Sequence, residues 1–97
     1  HGEAIAIGLY GEALLAEQIG IADPGLSSKI EKQLASLGLP TKCPGLSTIQ
    51  IKQLMSTDKK KKSGNLYFTL PTSIGAVDYG VQVEDNILTK TIERLTE

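Results

Sequence analysis

At 97 residues the chain has room for one small domain with a single core and none for a second. Its 40% apolar and 22% charged content is that of a soluble globular protein and sets aside the disordered and low-complexity classes. A formal net charge of −1 offers no overall field to nucleic acid or an anionic membrane, and no apolar run approaches the ~20 residues of a bilayer span, so neither partner is expected.

With only Tyr10, Tyr67, Phe68 and Tyr79 as aromatics, the core must be built from Leu, Ile, Val and Ala. Over residues 2–20, Ile5, Ile7, Leu9, Leu14, Leu15 and Ile19 mix with Ala4, Ala6, Ala13 and Ala16, which predicts a helix with a wide apolar surface. Gly8, Gly11 and Ala13 would let a neighbour approach closely, while Glu12, Glu17 and Gln18 mark the side that meets water. The chain opens inside this pattern without an initiator methionine, a capping residue or a leader, so we expect it to be an excised piece.

Asp23-Pro24 reads as an N-cap with proline at the first helical position. Leu26, Ile30, Leu34 and Leu37 then form the apolar stripe of a second helix, which Gly38 closes in the left-handed conformation and Pro40 keeps from continuing. A loop through Cys43, Pro44 and Gly45 follows. Cys43 is the sole cysteine, with neither a disulfide partner nor zinc-type spacing, so a reducing, cytoplasmic setting is expected. Ser47 and Gln50 form a capping-box pattern for a third helix, with Ile51, Leu54 and Met55 facing inward and an end near Thr57.

Asp58, the lysines of 59–62 and a turn at Ser63-Gly64-Asn65 lead to two runs of β-formers, 66–70 and 76–83. The second alternates Val77, Tyr79, Val81 and Val83, and Pro71 and Gly75 lie between the runs, predicting an antiparallel hairpin. Residues 84–97 complete the chain as a fourth helix, with Ile87, Leu88, Ile92 and Leu95 on one stripe and Asp85 near its positive end. The expected fold is mainly α: about four helices, with one small antiparallel β-hairpin before the last helix, in a single domain of residues 1–97.

Read by themselves, a lone histidine and a lysine run are ordinary surface groups. In context they are more specific. The string His1-Gly2-Glu3-Ala4-Ile5-Ala6-Ile7-Gly8, the Gly38-Leu39-Pro40 stop, Asp58-Lys59-Lys60, Leu70-Pro71, Ile74-Gly75 and a closing helix occur in one order over essentially the whole chain. That succession resembles the C-terminal, mainly helical part of the 3-dehydroquinate synthases, about the last quarter of such an enzyme. The resemblance implies that His1 is the last protein ligand of a catalytic metal, zinc or another divalent ion such as cobalt. The other two ligands, a glutamate and a histidine, lie upstream of this piece. It also implies that Lys59 or Lys60 binds substrate, a task suited to a flexible ammonium set against phosphate or carboxylate oxygen. Lys61 and Lys62 match no motif and are expected to be solvated. Glu3, two residues from His1 and therefore on another helix face, is expected to be structural.

The family likeness further implies a lyase that turns 3-deoxy-D-arabino-heptulosonate 7-phosphate into 3-dehydroquinate and phosphate in the shikimate pathway. NAD would be held by a missing N-terminal domain and used without net consumption, in a full-length enzyme expected to be a homodimer. On this reading the piece is inactive alone, and its first partner is the remainder of the enzyme. The alternatives are a fragment of a related sugar-phosphate cyclase, such as a 2-deoxy-scyllo-inosose synthase, or a helical docking module without chemistry. The expectation that an apolar first helix cut from its neighbours would expose an associating patch favours the last for the isolated piece.

Overall fold

A computed structural model describes residues 2–42, 45–55 and 66–96. Among them are four helices and one two-stranded antiparallel sheet, in the order α1 (Gly2–Gln18), α2 (Leu26–Ser36), α3 (Thr48–Leu54), β1 (Leu66–Ser73), β2 (Ala76–Val83) and α4 (Asp85–Leu95). This is the mainly helical architecture that the sequence predicts, with the hairpin ahead of the last helix.

The central element is α1, because its apolar residues surround more than one face. Ala6, Ile7, Tyr10, Ala13, Leu14, Leu15 and Ala16 are buried, and the helix meets α2, α3, α4 and β1. Leu26, Ile30 and Leu34 of α2, Ile51 and Met55, Phe68, Leu70 and Val83 of the hairpin, and Leu88, Ile92 and Leu95 of α4 complete the core. Two expected apolar contributors to the first helix stay outside it: Ile5 is 69% exposed and Leu9 37%.

The second helix starts later than its local signal suggests. Gly25, not Asp23, is the N-cap, and Leu26 is the first helical residue. The cap comes instead from α1: Glu17 accepts hydrogen bonds from the Ser27 amide at 2.7 Å and the Ser27 hydroxyl at 2.8 Å. A carboxylate from a neighbouring helix thus satisfies an otherwise orphaned first-turn N–H. Asp23 acts through its backbone, accepting from the Leu26 amide at 3.1 Å and donating to the Thr72 carbonyl at 3.0 Å, which ties the α1–α2 connection to β1.

At its other end α2 closes as expected. Gly38 has φ +77, its amide reaches the Ala35 carbonyl at 2.9 Å, and the Leu39 amide reaches the Leu34 carbonyl at 2.9 Å, the paired bonds of a Schellman motif. Leu37, predicted on the buried stripe, is the C-cap and is 72% exposed. Leaving helical geometry there turns it out to solvent, and Leu39 packs against the core instead. Thr41 follows, buried, with its hydroxyl donating to Glu31 at 3.2 Å.

The capping box of α3 forms in both directions: the Gln50 amide donates to Ser47 Oγ at 3.2 Å and the Ser47 amide to Gln50 Oε1 at 2.9 Å. The helix ends at Leu54, three residues before the predicted Thr57, because Met55 turns to extended geometry and buries its side chain. Leu54 is only half-buried.

The first strand runs through Pro71 to Ser73, longer than the predicted 66–70. Proline is tolerated because each strand of a two-stranded sheet has an outer edge, and Thr72 beside it is bulged. On β2, Tyr79 and Gly80 lie between the pairs Phe68–Val81 and Leu70–Asp78, one residue more than on β1. Gly80 supplies the positive φ of 62 that this bulge uses. The slip divides the alternating residues between the two faces: Val83 is buried and Val81 half-buried, whereas Tyr79 is 78% and Val77 46% exposed.

In α4, Leu88, Ile92 and Leu95 are buried as predicted, with Ile87 half-buried. Glu84 caps the helix and Asp85 occupies its first turn, receiving Lys52 of α3 at 3.0 Å. Thr91 joins the buried stripe because its hydroxyl is satisfied within the helix, donating to the Ile87 carbonyl at 3.0 Å. His1, the Cys43-Pro44 loop, the stretch from Ser56 through Asp58, Lys59, Lys60, Lys61 and Lys62 to the Ser63-Gly64-Asn65 turn, and Glu97 lie outside the described residues.

Candidate functional site

Two elements flank the residues that carry the family motifs. His1 immediately precedes α1, and Asp58-Lys59-Lys60 follows α3. Those two elements border one cleft of about 410 Å³. The first turns of α1 contribute Glu3, Ala4 and Ile7, and α3 contributes Gln50, Gln53 and Leu54. Its floor is apolar and its polar groups are amides and one carboxylate, a lining that orients a ligand through few contacts. The Gln50 side chain is already committed to capping α3 through Ser47. Gln53, three residues on, shares that helix face.

The two helices cross at close quarters. A Cβ added at Gly8 would overlap the backbone carbonyl of Leu54, the last residue of α3. One added at Gly11 would come within 3.1 Å of Leu95 Cδ1 and 3.4 Å of Met55 Sδ, both side-chain ends. The small residues on α1 therefore admit α3 and α4, as the sequence anticipates.

Glu3 is exposed at the start of α1, where a carboxylate interacts favourably with the positive end of the helix, and it also lines the cleft. Neither its place at the cleft nor that of Gln53 is evident from the sequence. The only available signal was the shared face of Gln50 and Gln53, and nothing local says what that face meets. Lys52, the cation of α3, points elsewhere and pairs with Asp85.

A second hollow of about 270 Å³, between Leu9 and Ile30 and the hairpin turn at Pro71, Ile74 and Val77, is almost wholly apolar and brings no reactive group together. Among the described residues the titratable group with a displaced pKa is Tyr10. Burial, together with Glu31 and Glu17, raises it above the ordinary 10.0 despite the opposing charge of Arg94. It belongs to the core rather than the cleft.

Among the described residues no three His, Cys, Asp or Glu side chains gather as a metal-binding group, and no helix is long and apolar enough to cross a membrane. Residues 1–61, which include α1, α2 and α3, match a known family model, that of the 3-dehydroquinate synthase C-terminal region. The chain belongs to this family. Relatives named 3-dehydroquinate synthase align beyond that span: the Legionella pneumophila (strain Corby) protein is 40% identical over 98 positions, covering 100% of this chain and 27% of its own length. That of a Synechocystis species is 36% identical over 95 residues, with 95% and 26% covered. That of Caldanaerobacter subterraneus is 35% identical over 88 residues, with 91% and 25% covered. The chain thus spans about a quarter of the length of the curated 3-dehydroquinate synthases it matches.

Proposed function

We propose that these 97 residues form one unit of the metal- and substrate-binding domain of a 3-dehydroquinate synthase, which converts 3-deoxy-D-arabino-heptulosonate 7-phosphate into 3-dehydroquinate and phosphate. The observation that carries the reading is the end-to-end alignment with enzymes of that name. The motif residues His1, Lys59 and Lys60 all fall within the family match. The enzyme is a cytoplasmic homodimer in this reading, and its NAD-binding domain lies in the part of the protein outside this chain.

The donor chemistry fits a metal only as part of a set. His1 supplies one neutral imidazole nitrogen and a divalent centre of this kind needs further protein ligands. In this reading those ligands, a glutamate and a histidine, belong to the part of the enzyme upstream of this chain. Lewis-acid polarisation of substrate hydroxyl oxygens is the chemistry a divalent metal supplies when bound.

This chain's own part is to bind and orient. Lys59 or Lys60 places an ammonium against the substrate phosphate, where it stabilises charge on the departing group. The cleft of Glu3, Gln53 and Leu54 lies between the first turns of α1, which His1 precedes in sequence, and α3, which the lysines follow in sequence.

The test is an assay of the full-length protein with 3-deoxy-D-arabino-heptulosonate 7-phosphate, NAD and zinc, following phosphate release with and without a chelator. Metal-dependent release with formation of 3-dehydroquinate is expected. Absence of turnover from protein that binds NAD and metal would overturn the substrate assignment in favour of another sugar-phosphate cyclase.

A further inference from the structure

Among the described residues seven large apolar side chains are exposed, and four of them gather on one side of the molecule. Leu9, Ile74 and Val77 line the second hollow, where α1, α2 and the hairpin turn converge. Ile5 stands one helical turn from Leu9 on the same face of α1. Exposed apolar residues scattered singly are ordinary, whereas a contiguous group around a hollow marks a surface that another surface covers.

We propose that the rest of the same polypeptide covers this face: an apolar segment from the part of the enzyme ahead of α1 packs across Ile5, Leu9, Ile74 and Val77 and sets a side chain into the hollow. The proposal rests on the reading above that the chain is one unit of a longer enzyme, and not on the assignment of its substrate.

Length argues for that occupant. The chain covers 27%, 26% and 25% of three relatives, and the family model it matches is that of a C-terminal region, so most of such an enzyme lies ahead of α1. Ile5 is the fourth residue of α1. The remainder is thus tethered about one helical turn from the face, at a high effective concentration that a free partner or a second copy lacks. Chemistry agrees. None of the described residues lining the hollow is charged, and Gln33 and Ser73 are its polar side chains, so it offers no counter-charge to a sugar phosphate. At about 270 Å³ with Ile30 and Pro71 buried at its wall, it suits an aliphatic or aromatic anchor.

The test uses the native full-length protein, first by hydroxyl-radical footprinting read by mass spectrometry. Ile5 and Ile49 are matched probes, the same side chain 69% and 68% exposed in this chain, with Ile49 on α3 and outside the hollow. Ile5 and Ile74 are expected to be oxidised several-fold more slowly than Ile49. Equal rates for Ile5 and Ile49 would overturn the proposal.

The occupant is then identified by irradiating Ile74→p-benzoylphenylalanine. The expected product keeps the mass of one chain on a denaturing gel and joins position 74 to a peptide upstream of His1. A product with the mass of two chains would seat a second copy there, and links confined to residues 1–97 would leave the face uncovered; either result sinks the idea. Should that variant not fold, dilution of the unmodified protein decides. Protection of Ile5 is expected to persist as any oligomer dissociates, and its loss with dissociation would assign the face to a second copy. The intact mass separates the two levels of failure. A native protein no longer than this chain would overturn the reading of it as one unit of an enzyme, whereas a longer protein with an unprotected Ile5 would overturn only the docking face.

Discussion

Glu17 illustrates how a residue's chemistry depends on what arrives beside it. Its place among polar residues at the end of α1 suggests a solvent-facing group, yet it holds the Ser27 amide and hydroxyl at 2.7 and 2.8 Å and starts α2 in place of a local cap. Glu17→Ala is expected to destabilise the protein by about 1–2 kcal/mol, read as a lowered denaturant midpoint with unchanged slope. Tyr10 makes a prediction of the opposite kind. Burial lifts its pKa above 10.0, so folding favours the neutral phenol. That stabilisation is complete below the unfolded value and is lost as pH rises through the folded one. Tyr10→Phe is therefore expected to move the alkaline unfolding midpoint upward, measured by circular dichroism between neutral pH and strong alkali.

Short elements depend most on their ends. Seven residues are too few for a helix to be stable by propensity alone, so the reciprocal Ser47–Gln50 box carries an unusually large share of α3. Ser47→Ala is expected to cost about 1 kcal/mol and to speed amide exchange selectively over Thr48–Leu54, leaving α1 protected. The hairpin shows the converse, a sequence pattern redirected by one added residue. Val77, Tyr79, Val81 and Val83 keep strict alternation on paper, but the bulge at Tyr79 and Gly80 sends the first two outward. Alternation reports a face only while the register is continuous.

At the scale of the whole molecule, α1 joins α2, α3, α4 and β1 into one core, so damage at its centre should be felt everywhere. Leu15 is fully buried, and Leu15→Ala is expected to cost about 2–5 kcal/mol. For a small domain that is a large part of the total stability, and loss of helical and hydrophobic-core signals should coincide on thermal unfolding. Separate transitions for the hairpin and the helices would contradict a single cooperative core.

The sequence by itself determined the element order, the Gly38 stop, the Ser47–Gln50 cap, the buried stripe of α4 and the family. Each rests on local chemistry: a left-handed turn, a reciprocal side-chain bond, a helical period, or a run of motif residues in one order. The roles proposed for His1, Lys59 and Lys60 rest on those motifs alone. Only the tertiary structure decided that Glu17 caps a different helix, that Leu37 and Tyr79 face out, that Glu3 and Gln53 share a cleft, and that Gly8 receives the Leu54 carbonyl. Those facts join residues far apart in the chain. The relative placement of two helices follows from the summed packing of all their neighbours, which no local pattern encodes.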